Sequence, residues 1–307
     1  MTDHPTTSIR SRFLLVSLVL TLLVSACSMK AQASTDGKSE STPKVTQNAS
    51  GSANNNVVSV TPTPAPCLET KGTVEDINIP SETLDEDIQV KIYLPPCYSF
   101  NKGTQYSVLY MLHGQTSQDD QWVRIGLLSK MDELLQQGQI NPFIIVLPNE
   151  VRSNVEAFES TYGDAIVNDV IPYMDKNFNT CDERVCRAIG GLSRGGNWAI
   201  HLGFEHPELF TAVGAHSAPL FYGEILNVTR AADDPMKVDL LPVIYIDVGN
   251  RDEDHDDVIY FLITIQDLPV QYQFNEFLGS HNEEYWSAHA VDYLLFYNSQ
   301  LVPPHDK

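Results

Sequence analysis

Gly191-Leu192-Ser193-Arg194-Gly195 sets a serine between two glycines, each two positions away. An apolar β-type run at residues 188–192 precedes it, and a helical pattern at 195–206 follows. That context gives the spacing a chemical meaning. On a very sharp strand-to-helix turn the serine Oγ projects clear of the backbone, and Cβ atoms two residues either side would have no room. The helix aims free backbone N–H groups at the turn, where they favour negative charge. Ser193 is therefore the candidate nucleophile, and the Arg194 N–H a candidate donor to an oxyanion. The alternative reading is a glycine-rich turn without chemistry.

A serine hydroxyl needs a base to take its proton and a carboxylate to orient that base. Two later loops supply these groups. Gly249-Asn250-Arg251-Asp252-Glu253-Asp254 follows the strand-like run 242–248, and Leu278-Gly279-Ser280-His281 follows the run 270–277. Both loops leave the carboxyl ends of strands, where open parallel sheets place their sites. The acidic stretch 252–257, with His255 inside it, also admits a metal-site reading. An orienting Asp followed by an acid-rich helix start is preferred. HExxH, C-x₂-C and G-x₄-G-K-[ST] patterns are absent, which excludes zincin, zinc-ribbon and P-loop chemistry.

These groups need elements to hold them. Apolar or β-branched runs predict strands at 71–80, 88–94, 107–112, 142–147, 188–192, 212–216, 242–248 and 270–277. Helical periodicities fall at 125–135, 166–174, 195–206, 254–266 and 283–297, with Gly126 weakening the start of the first. Near-continuous apolar strands separated by helices imply an α/β fold: a mostly parallel central sheet with helices on both faces. The first two strands lack an intervening helix and should form an antiparallel edge. Residues 219–241 carry no clear role beyond shaping a pocket.

The segments KIYLPPCY, YSVLYMLHG, INPFIIVLPNE, AIGGLSRGG, FTAVGAHSA, DVGNRDED and LGSHNEEYW occur in that order across residues 70–300. They resemble the Putative esterase family of α/β-hydrolases, which includes feruloyl, acetylxylan and enterochelin esterases, S-formylglutathione hydrolases and mycolyltransferases. The resemblance implies Ser193 as nucleophile, Asp252 as acid with Asp254 as runner-up, and His281 as base with Trp286 on the helix behind it. It implies an oxyanion loop at His113-Gly114-Gln115, the Gln115 N–H, less surely that of Thr116, joining that of Arg194. It implies no metal or organic cofactor, and a small-molecule or carbohydrate ester as substrate. An acyltransferase using the same residues, or a binding protein that kept the fold, stays open. Arg194 stands where the family often has an apolar residue, and either rims the pocket or pairs with a surface carboxylate. His113 is expected to order the oxyanion loop, and His201, His216 and His289 to be packing or surface residues. Trp122 and Trp198 read as core or pocket wall, with sugar stacking a weaker reading of Trp122.

The chain has 307 residues, 42% hydrophobic and 19% charged, too apolar for a disordered chain as a whole. Its formal charge of −21 makes nucleic acid an unfavourable partner. Arg10 and Arg12 precede a 14-residue apolar run, 13–26, short of the roughly 20 residues of a membrane span but suited to a signal peptide. The run ends Val24-Ser25-Ala26-Cys27, which resembles a bacterial lipoprotein box with Cys27 as the lipidated residue. Residues 28–66 are rich in Ser, Thr, Asn and Pro and read as a disordered tether. The expected organisation is therefore 1–27 signal and lipobox, 28–66 tether and 67–307 esterase domain. The protein would be exported and anchored at a bacterial cell surface through lipid alone. Residues 1–66 hold five Lys/Arg against three Asp/Glu, a surplus of two, which leaves −23 on the remainder. Four further cysteines in an exported chain suggest disulfides. Of three pairings, Cys67–Cys97 and Cys181–Cys186 are preferred. An antiparallel first strand pair would bring Cys67 to Cys97, and a short polar loop separates the other two; free thiols are the alternative.

Overall fold

The computed structural model describes residues 67–306, so Cys27, the leader and the tether lie outside the described residues. Strands β1 (Thr73–Ile79) and β2 (Ile88–Leu94) pair antiparallel, Thr73 opposite Leu94. That register carries Cys67 to Cys97, and the two form a disulfide with Cα atoms 5.8 Å apart. A second disulfide joins Cys181 to Cys186. The two close loops of very different length, 30 and 5 residues by sequence separation. Chain entropy then assigns about 3.6 kcal/mol to the first and about 2 kcal/mol to the second. Replacing Cys67 and Cys97 by serine should lower the urea midpoint more than replacing Cys181 and Cys186; the reverse order would refute the entropic account.

The chain continues through β3 (Thr104–Gln105), β4 (Val108–Leu112), α1 (Gln121–Arg124), α2 (Leu127–Gln136) and β5 (Ile144–Pro148). Next come α3 (Tyr162–Ala165) and α4 (Ile171–Asn177), joined by a wider turn at Ile166–Val170. Pro172, with no N–H to donate backwards, sits just past that wide turn. Then follow β6 (Arg187–Leu192), α5 (Arg194–Glu205), β7 (Ala212–His216), α6 (Glu224–Asp233), β8 (Val243–Gly249), α7 (His255–Ile265), β9 (Tyr272–Phe277), α8 (Glu283–Gln300) and β10 (His305–Asp306). Gly126, at φ 90°, interrupts the first predicted helix at its start: α2 begins at Leu127, and α1 lies ahead of the predicted range.

Eight strands form one sheet in the order β1-β2-β5-β4-β6-β7-β8-β9, and β3 pairs with β10. β1–β2 and β2–β5 are antiparallel, and every later neighbour pair is parallel. Helices cover both faces. Side chains of α3, α4, α5, α6 and α7 pack on one, and those of α1, α2 and α8 on the other. β4, β5, β6 and β7 are buried from end to end, which is why they read as unbroken apolar runs. The chain runs from β4 outward to β5 and then returns to β6 on the other side. The carboxyl ends of β4 and β6 therefore flank a topological switch point, the usual crevice for a ligand.

A buried polar cluster ties α8 to the sheet. His216 Nδ1 lies 2.7 Å from Asp247 Oδ1, and the Tyr285 and Tyr293 hydroxyls donate to Asp247 Oδ2 at 2.7 and 2.9 Å. The Tyr297 hydroxyl lies 3.1 Å from His216 Nε2. Gly190 and Gly214 make room for it, since a Cβ at either would sit 1.7 Å from the Tyr297 oxygen. His216 is thus a buried packing residue, as expected, but one with a full set of polar partners.

Candidate active site

Ser193 joins β6 to α5 at φ 51° and ψ −124°, a left-handed backbone rare for a side-chain-bearing residue. Its N–H donates to His216 O at 2.8 Å, and its carbonyl accepts from the Asn197 N–H at 3.1 Å. Two glycines permit the turn. A Cβ on Gly191 would lie 2.3 Å from the Gly195 carbonyl carbon, and one on Gly195 would lie 2.3 Å from Leu112 O. The Arg194 N–H falls in the first turn of α5, where the helix has no earlier carbonyl to accept it.

The loop after β4 passes beside this turn. A Cβ on Gly114 would lie 3.6 Å from Ser193 Cβ. The Glu150 N–H donates to His113 Nε2 at 2.8 Å, which leaves the proton on Nδ1, and Nδ1 lies 2.8 Å from Gly114 O. Burial pushes the His113 imidazole below its ordinary pKa, so it stays neutral in this role. The Gly114 N–H donates to Gln121 Oε1 at 2.9 Å, and the Thr116 N–H to Ser153 Oγ at 3.2 Å. Thr116 is therefore engaged. The Gln115 N–H has no hydrogen bond among the described residues.

His281 Nδ1 lies 2.9 Å from Asp252 Oδ1 and 3.4 Å from Asp254 Oδ2. Asp252 is buried in the loop after β8, and the Asp254 N–H donates to its Oδ1 at 2.9 Å. Burial pushes the Asp252 carboxyl up, but hydrogen bonds from His281 and the Asp254 N–H, helped by the nearby Ser217 hydroxyl, hold it below the usual range. Asp252 Oδ2 and Ser217 Oγ are buried and make no hydrogen bond among the described residues, and Ser217 is held at φ 47°. Burial alone would lower the His281 pKa. The hydrogen bond and charge of Asp252, then the charges of Asp254 and Glu253, raise it above the ordinary 6.5. Trp286 packs edge-on against the His281 ring, centroids 5.0 Å apart. Removing Asp254's charge should therefore lower the His281 pKa. In Asp254→Asn the acid limb of kcat/KM should move to lower pH, while Asp252→Asn lowers the rate far more. A limb that stays in place would rule out an electrostatic role for Asp254.

Ser193 and His281 line one cavity of about 510 Å³, together with Gln115, Arg194, Pro219 and Phe221. The 219–241 segment thus contributes cavity wall, through Pro219 and Phe221. The side chain of Arg194 points elsewhere than expected. It is buried, with Nε and Nη2 at 2.9 and 2.6 Å from the buried Glu150 carboxylate and Nη2 donating to Val155 O at 2.8 Å. Arg194 lines the cavity, but its partner is a buried carboxylate, so the surface-carboxylate reading gives way to an internal ion pair. Glu150 is 44 positions away and meets Arg194 only because β5 and β6 flank β4.

The acidic stretch divides. Asp256 and Asp257 lie in the first turn of α7, His255 turns to Glu276 at 3.0 Å, and only Asp252 and Asp254 reach His281. Asp252, Asp254 and His281 converge within 4.8 Å, close enough to grip a cation. The convergence is on one imidazole nitrogen, hydrogen-bonded to Asp252 with the Asp254 charge beside it. Trp122 is core: it is 1% exposed and donates to Leu112 O at 2.9 Å, so it offers no stacking platform for a sugar. His201 pairs with Glu224 at 2.9 Å, and His289 stacks on Phe277.

A family model described as Putative esterase matches residues 81–306. The endo-1,4-beta-xylanase/feruloyl esterase of Xylanibacter ruminicola is 30% identical over 196 residues, covering 60% of this chain. The chain spans about a quarter of that relative, 25% of its length. Among solved structures, a ferulic acid esterase aligns with TM-score 0.66 and 26% identity, over 75% of this chain and 99% of the other. The S-formylglutathione hydrolase of Staphylococcus aureus aligns with TM-score 0.63 over 74% of this chain and 97% of the other. At 19% identity, that likeness speaks to fold alone. With the matched region running from β2 to the C-terminal strand, the chain belongs to the Putative esterase family of α/β-hydrolases.

Proposed function

We propose that the chain is an exported serine esterase that hydrolyses carboxylic esters through an acyl-enzyme on Ser193. The observation that carries this reading is one strained serine in a cavity shared with a histidine whose Nδ1 is held by a buried aspartate. His281 takes the Ser193 proton on Nε2 while Asp252 holds Nδ1–H and stabilises the imidazolium that forms. Ser193 Oγ attacks the ester carbonyl. The N–H groups of Gln115 and Arg194, both unengaged, are the donors assigned to the tetrahedral oxyanion. His281 then protonates the departing alcohol. Water, deprotonated by the same histidine, attacks the acyl-enzyme and releases the acid. The names of the xylanase/feruloyl esterase relative and the ferulic acid esterase favour acyl groups borne on carbohydrate as the natural substrates.

The test is hydrolysis of 4-nitrophenyl acetate together with labelling by a fluorophosphonate probe, the labelled peptide containing Ser193. A chain that does neither is not a serine esterase. Export is supported by the two disulfides. The leader 1–27, tether 28–66 and domain 67–307 give a lipoprotein anchored through Cys27. Cys27→Ser should release the enzyme from membranes on fractionation, and retention there would refute the lipid anchor.

A further inference from the structure

Three carboxylates line the cavity around Ser193, and the one permanent cation in its lining is already paired. Its one guanidinium, Arg194, is occupied by Glu150 and Val155 O. Glu156, Glu253 and Asp254 line the same space. Glu156 and Glu253 are exposed and have no cationic partner among the described residues. Of the remaining polar lining, Asn154 and Asn197 are uncharged, and His281 is held by Asp252 and Asp254. Beyond the cavity, the −23 carried outside residues 1–66 supplies a background of the same sign. A cleft lined by one sign of charge focuses its field on whatever enters. An anionic group there would lose water, find no unpaired cation, and meet two unpaired carboxylates.

We infer that this site accepts esters whose acyl chain is uncharged or cationic and rejects those bearing an anionic group near the ester bond, with Glu156 and Glu253 setting the discrimination. The inference rests on the esterase reading. It separates the substrates open to the family by charge: an uncharged aromatic or acetyl ester fits the cavity, and a carboxylate-bearing thioester or ester does not.

The experiment compares kcat/KM for three 4-nitrophenyl esters of matched chain length: hexanoate, monoadipate and ε-aminohexanoate. It uses the wild type and the Glu156→Gln/Glu253→Gln variant, at low and high salt. The wild type should prefer hexanoate over monoadipate by about thirtyfold at low salt, and should turn over ε-aminohexanoate at least as well as hexanoate. The preference over monoadipate should shrink several-fold in the variant. It should also shrink at about 1 M salt, where the screening length is about 3 Å. Each preference is a ratio, so a general loss of activity in the variant cancels. Monoadipate hydrolysed within about threefold of hexanoate, or a preference unchanged in the variant, overturns the charge discrimination and leaves the esterase standing. A wild type that hydrolyses none of the three removes the esterase reading and this inference with it.

Discussion

Ser193→Ala should lower kcat on 4-nitrophenyl acetate by about 10⁴-fold or more, the scale seen when a triad nucleophile is removed. Fluorophosphonate labelling should vanish with it. The fold should survive, because the bonds that shape the turn are backbone bonds, from Ser193 N–H to His216 O and from Asn197 N–H to Ser193 O. Alanine inherits both, along with the same positive φ. A thermal midpoint close to wild type would show that the loss is chemical. Near-full activity in this variant would refute the nucleophile assignment outright.

Gly195→Ala should be the most damaging one-carbon addition near the site. The new Cβ would lie 2.3 Å from Leu112 O and 2.6 Å from His113 O. Both contacts are backbone, and β4 is locked between β5 and β6, so neither atom can step aside as a flexible side chain would. The turn must open instead, which moves Ser193 away from the loop that carries Gln115. We expect a loss of at least about 3 kcal/mol, or roughly 6–12 °C in Tm for a chain of this size, and activity near background. Gly103→Ala is the control: no atom lies within 4 Å of its added Cβ, and its stability should hold within about 0.5 kcal/mol. Equal effects at the two positions would show that backbone approach does not govern the turn.

Much of the frame was legible because burial leaves a periodic trace. The runs at 88–94 and 212–216 coincide with β2 and β7. The antiparallel edge and the Cys67–Cys97 pairing followed from one observation, that no helix separates β1 from β2. The two-residue strands β3 and β10 left no trace, since a period needs more than two positions to register. Around the site, the sequence could name the loops but not which atoms within them meet. Asp252 is preferred as the acid with Asp254 as runner-up, and both approach His281, at 2.9 and 3.4 Å; the two-residue choice is set by a hydrogen bond inside that loop. Gln115 is preferred over Thr116, and the reason shows only in the fold, where Ser153, far along the chain, takes the Thr116 N–H. The sequence leaves Arg194 between the pocket rim and a surface carboxylate because its partner is chosen by strand order, which no local pattern encodes.

The Cys67–Cys97 bond has a mechanical consequence. A pull on the chain from its N-terminal side enters the described fold at Cys67, just ahead of β1, the outermost strand. Without the bond, that load would fall on β1 end-first and peel its antiparallel hydrogen bonds from β2 one at a time, the weakest direction in which to load a sheet. With it, the load passes covalently from Cys67 to Cys97, beyond the far end of β2, and β1 carries almost none. Under any such pull, the outermost strand is then no longer the first part to fail.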